Sequence, residues 1–186
     1  TKFWICDFAI RQSTRKLAEK DNDVKKLGPC VRSIGHTVLL MEPWHDPQPL
    51  RRAYCIKEVY HTQASGAHFA MVMGAAQQAD FEEALFTDFD SIAARLSKVD
   101  VRNAECRKPE DTKAILDELE REVGFVECNS LVQELLRTAL ADQGRAALAQ
   151  MPAAERGTST LLSHVGQLLQ EQGDLRGAAP LLRESM

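Results

Sequence analysis

The stretch from Ile34 to Gln63, IGHTVLLMEPWHDPQPLRRAYCIKEVYHTQ, does most to limit what this chain can become. Thr37 to Met41 is a short, nearly unbroken apolar run, the pattern of a parallel strand covered on both faces. Pro43 ends it. Pro47 and Pro49 hold the chain out of helix and sheet until about Leu50, because proline lacks the N–H that both structures use. Apolar residues then recur at helical spacing: Leu50, Ala53, Tyr54, Ile56, Val59 and Tyr60 make a broad face, with Arg51, Arg52 and Lys57 left for water. A strand feeding a helix in this way is half of a βαβ unit, and in open α/β sheets ligands bind at the loops following the strands.

The flanking segments extend the same alternation. Phe3 to Phe8 (FWICDF) reads as a strand, apolar apart from Asp7, which either faces a ligand at the crevice or caps the next segment. Between about Ser13 and Ser33, Leu17, Val24, Leu27 and Val31 outline one buried helical face, interrupted near Gly28 and Pro29. Ala67 to Met73 is a further strand ended by Gly74, and Phe81, Leu85, Phe89, Ile92 and Leu96 predict one long helix over about 76–97. Val99 to Cys106 reads as a short, weak strand. Pro109 followed by Glu110 and Asp111 starts a helix that buries Ile115, Leu116, Leu119 and Val123 and stops at Gly124. Another helix begins at about Asn129, and the Ala-, Gln- and Gly-rich stretch 143–157 reads as a connector with some helix. Strands alternating with helices imply a parallel α/β sheet.

Composition narrows the function classes. Of 186 residues, 44% are hydrophobic and 27% charged, as in ordinary globular chains, and the net charge of −4 offers no basic field for nucleic acid or an anionic membrane. No apolar run approaches bilayer length, and no signal-peptide pattern occurs. Five scattered cysteines without a CxxC pair favour reduced thiols and a cytoplasmic location over disulfides or zinc. The histidines lack metal-ligand spacing such as HExxH, and no Gly-rich phosphate loop occurs, so no cofactor is expected. The chain opens without methionine and stops at Met186 inside a helical pattern, so it reads as part of a longer protein.

Two resemblances add to this reading. LLSHVGQLLQEQGDLRGAAPLLRES forms two short amphipathic helices around Gly173-Asp174, with Leu162, Val165, Gly166, Leu169, Ala178, Leu182 and Ser185 where a tetratricopeptide (TPR) repeat places its packing residues. It resembles the first repeat of a kinesin-light-chain-type TPR array, over residues 158–186, without the closing proline. Such a repeat cannot bury its own face, so the resemblance implies further repeats and a protein partner bound by the array.

The segments FWICDF, IGHTVLLMEPW, LRRAYCIKEVY and KPED resemble a Toll/interleukin-1 receptor (TIR)-like domain, in which a strand leads through a loop to a helix opening Trp-Cys-x-x-Glu. The corresponding residues are Tyr54, Cys55, Ile56, Lys57 and Glu58. The resemblance covers about 1–142 and implies a flavodoxin-like parallel sheet with its first strand missing, then a connector over 143–157 and an all-α TPR hairpin. It departs from the family where Tyr54 replaces Trp, and where the first strand and its loop are lacking.

What the resemblance implies about function divides in two. TIR-like domains serve as signalling and assembly modules, which implies self-association and an intracellular scaffold coupled to the TPR array. Enzymatic members cleave NAD between nicotinamide and ribose, with the helix glutamate stabilising an oxocarbenium-like sugar. Glu58 is then the catalytic candidate, NAD a substrate, and Asp7, Trp44 and Tyr54 candidates for the ligand pocket. Glu58 as a solvated or salt-bridged helix residue is the plainer alternative. Trp44, His45 and Asp46, on the loop after the central strand, either face a ligand or are surface structure. Cys55 and His61 fall on different faces of their helix, which argues against a Cys–His nucleophile.

Overall fold

A computed structural model describes residues 26–186. The FWICDF segment with Asp7, and the positions of Leu17 and Val24, lie outside the described residues. Helix α1 spans Leu27–Ile34 and buries Leu27 and Val31. The helix begins beside Gly28 and Pro29, close to where the sequence reading places an interruption. They fall in its first turn, where N–H groups have no partner within the helix and proline is tolerated.

Strands β1 (His36–Leu40) and β2 (His68–Val72) pair in parallel, from His36 opposite His68 to Leu40 opposite Val72. Between them run a 3-10 turn at Gln48–Arg51 and helix α2, Ala53–Ser65. Gly66 ends α2 in the left-handed region, φ 64°, and Ala67 N–H closes the turn on the Thr62 carbonyl at 3.0 Å. The βαβ unit follows the pattern of the sequence, except that α2 begins at Ala53 rather than Leu50, because Gln48–Arg51 first form the 3-10 turn.

The covering of the sheet does not. Leu39, Met41 and Met71 are buried against the helices, whereas Val38, Leu40 and Val72 on the opposite face are 51%, 50% and 40% exposed. Among the described residues the sheet has two strands and is covered on one face. A continuous apolar run cannot by itself distinguish two covered faces from one covered and one bare face.

The expected long helix over 76–97 is two helices, α3 (Ala75–Thr87) and α4 (Phe89–Ser97). Asp88 breaks them apart with φ −145°. Phe81, Leu85, Phe89, Ile92 and Leu96 are nonetheless all buried, so the apolar spacing runs straight through the break and conceals it. The expected strand near Val99–Cys106 is also corrected. Val101–Asn103 forms a 3-10 turn, with Asn129 Oδ1 accepting from Val101 N–H at 2.8 Å and the Asp100 carboxylate accepting from Arg102 N–H at 3.0 Å. Side chains thus take the backbone donors that a strand would offer to a sheet. Glu105 makes an isolated bridge to Arg52, just ahead of α2.

Helix α5 (Pro109–Glu122) starts at its proline, as the sequence indicates, and turns at Gly124, φ 79°, into α6 (Phe125–Gln150). Helix α6 runs 26 residues and carries the chain well into the stretch read as a connector. It packs on α2, β2 and α4, burying Val132, Leu136, Leu140 and Leu148. A short helix α7 (Ala153–Arg156) leads to the hairpin of α8 (Thr160–Glu171) and α9 (Leu175–Glu184).

The hairpin sits directly on α6 and α4. A Cβ on Gly144 of α6 would lie 2.5 Å from Val165, and one on Gly166 of α8 would lie 2.7 Å from Leu182 of α9. The two glycines therefore allow approaches that any larger residue would block. The His164 and Phe89 rings stack at 5.3 Å, and Arg145 of α6 bonds the Asp174 carboxylate that caps α9. One apolar cluster runs unbroken from Leu39 to Ala178.

Lys57 departs from expectation. It is 1% exposed, and its Nζ meets Glu118 Oε2 of α5 at 2.5 Å. A buried ammonium that loses its carboxylate has no access to water, whereas the carboxylate, 12% exposed, keeps some. Glu118→Ala should cost about 3–5 kcal/mol, and the volume-conserving Lys57→Met, which leaves a carboxylate with some access to water, should cost less, as read by urea denaturation. Equal losses in the two variants would contradict this account of the pair.

Candidate functional site

A cleft of about 370 Å³ opens where the chain leaves β1 and β2 at their carboxyl ends. Its floor is apolar: Met41 just after β1, Met71 of β2, Phe81 of α3, and Ile92 and Leu96 of α4. The Pro-rich loop forms one wall. Trp44 is anchored there by its backbone N–H on Gln77 Oε1 at 3.0 Å and its indole Nε1–H on Asp80 Oδ2 at 2.6 Å. Its ring meets Phe81 edge to face at 5.4 Å, and His45 lies edge-on at 5.8 Å. An aromatic held at both ends in this way is a preformed surface of the cleft.

The polar groups of the cleft fall into matched and unmatched charges. Asp46 pairs with Arg51 at 2.6 Å. Asp100 accepts from the Arg102 guanidinium, which holds its carboxyl well below the usual carboxylate range, and from Asn129 Nδ2 at 3.0 Å. Arg95 donates to the His45 carbonyl at 3.0 Å and so fixes the loop across the cleft. Among the described residues, no carboxylate pairs with Arg95 or Lys98.

The sequence candidates do not all meet here. Trp44, His45 and Asp46 line the cleft, while Tyr54 and Glu58, both half-buried on α2, do not. Asp7 lies outside the described residues. Of the hairpin residues, Leu162, Val165, Gly166, Leu169 and Ala178 are buried between α8 and its neighbours, and Leu182 is half-buried against Gly166. Sequence reasoning passed over Arg95, Lys98, Asp100 and Asn103. Their one signal is a polar cluster in and just after the last turn of a helix, part of which the strand reading of Val99–Cys106 hid.

Groups suited to metal or thiol chemistry are sparse. Among the described residues no cluster of three His, Cys, Asp or Glu could hold a metal ion. Burial pushes the Cys128 thiol up to about 11, and burial also raises Cys106, so neither is thiolate near neutrality. No described helix is long and apolar enough to cross a membrane. No family model, curated protein or solved structure matches the chain.

His61, on the same helix as Glu58, gives α2 a pH dependence. Its ring lies against Gly28 of α1, and burial, with the Lys57 ammonium beside it, lowers its pKa from 6.5 to about 4. Glu118 opposes this and Arg32 adds to it. Between pH 6.5 and about 4 the unfolded chain binds a proton that the folded chain refuses, so stability present above 6.5 is lost across that window. Thermal melts should show a loss of up to roughly 2 kcal/mol after allowance for solvent screening. His61→Gln, which cannot take the proton, should flatten the curve between those limits; an unchanged slope would rule His61 out as its source.

Proposed function

We propose that the chain belongs to an intracellular signalling or scaffold protein in which a TIR-like α/β unit is coupled to protein-binding TPR helices. The observation that carries this reading is the tight stacking of α6, α8 and α9. Gly144 and Gly166 each admit a neighbouring side chain into space that a Cβ would fill, giving the closely packed helical ladder that repeat arrays extend. Such a ladder joins the sheet to the hairpin through one helix, so a partner held by the array would be placed firmly relative to the α/β unit.

The bare face of the sheet supports an assembly role. Val38, Leu40 and Val72 expose apolar surface there, and His36 and His68 stack across the two strands at 4.4 Å. Exposed apolar patches of this kind mark association surfaces. NAD cleavage through Glu58 has weaker support, because Glu58 does not line the cleft at the strand ends.

Two measurements on the same preparation separate the readings. Chromatographic assay of nicotinamide should show no release from NAD, while sedimentation velocity should show association that grows with protein concentration. Nicotinamide release that disappears in a folded Glu58→Ala variant would overturn the scaffold reading in favour of the hydrolase.

A further inference from the structure

The unmatched cations of the cleft carry a second conclusion, independent of the scaffold reading. Asp46 is matched by Arg51, and Asp100 by Arg102 at 2.5 Å, so the two carboxylates in the lining are already neutralised by the protein. What remains is Lys98, exposed at the end of α4, and Arg95 one turn before it. The end of a helix favours cations through its own dipole, which accounts for one positive charge there but not for its opening onto an apolar cleft. A space of about 370 Å³ with an apolar floor, a fixed indole and a small number of polar groups falls within the range of small-molecule sites.

We propose that this cleft binds a small organic anion with a flat apolar body, the body against Trp44 and the Met71, Ile92 and Leu96 floor, and the anionic group at Lys98. The electrostatic balance disfavours a cationic ligand, since among the described residues no lining carboxylate is free to receive one. The floor disfavours a small inorganic anion, which would leave Met71, Phe81 and Ile92 uncovered.

Anilinonaphthalene sulfonate, an apolar ring system bearing one anionic group, is a direct probe. Titrated at low ionic strength into the 186-residue chain, it should give saturable fluorescence. Naphthoate should displace it, and neutral naphthamide should need a much higher concentration. Lys98→Glu should weaken binding about fivefold or more, as expected for reversing one charge near the surface, and Lys98→Gln by less. Asn103→Trp, a substitution at an exposed residue of the lining, should block entry.

Val38→Asp, on the bare face of the sheet, should leave binding unchanged. Circular dichroism melts establish that each variant is folded. Four results would overturn the proposal: no saturable signal, parental affinity in both Lys98→Glu and Asn103→Trp, equal displacement by naphthamide and naphthoate, or loss of the signal in Val38→Asp.

Discussion

Helix α6 is the constraint on which the rest of the structure depends. Within one element of 26 residues it closes the inner face of the sheet at β2, packs on α2 and α4, and provides the seat for α8. In a folded protein most of a helix's stability comes from the apolar face it buries rather than from its own propensity. Leu136 and Leu140 are fully buried, and truncating a side chain of that kind to alanine typically costs about 2–5 kcal/mol. Gly144 runs against helix propensity by roughly 1 kcal/mol relative to alanine, and the gain is the close approach of Val165. The helix accepts a weak residue so that the hairpin can dock.

The same logic places the cleft. The sheet positions Met41 and Met71 at its carboxyl end, α3 and α4 close over them with Phe81, Ile92 and Leu96, and the prolines keep the Trp44 loop out of regular structure beside them. Non-helical backbone at Asp88 separates α3 from α4, and side chains of both line the cleft. A single straight helix over that range would present its apolar face along one line only. Charge is arranged with equal economy: each lining carboxylate has its guanidinium, leaving the helix-end lysine unmatched.

Much of this was legible in the sequence wherever a local rule decides the outcome. The strands around Val38 and Ala70, the proline start of α5, the glycine at 124 and the amphipathic hairpin all follow from periodicity and from residues with one strong backbone preference. The failures share a cause: a tertiary partner decided them. Lys57 reads as a solvent-facing residue until Glu118 from α5 is seen beside it. Val101 reads as a strand residue until the Asn129 amide takes its N–H. Arg95 and Lys98 draw no notice in the sequence until the loop bearing Trp44 is laid across from them. In the site itself, Trp44 was visible from its loop position, but the side chains opposite it were not, because nothing in their spacing ties them to a loop some fifty residues earlier.

The central claim is that the α/β unit and the helical hairpin form one body through α6. Native-state hydrogen exchange tests it most directly, because it reads the opening free energy of each segment separately. The account predicts that the amides of α8, such as Val165 and Leu169, open with the same free energy as those of Leu140 in α6 and Met71 in β2. Opening of α8 and α9 at a much lower free energy, while α6 and the sheet stay protected, would contradict it and make the hairpin a separately folding attachment.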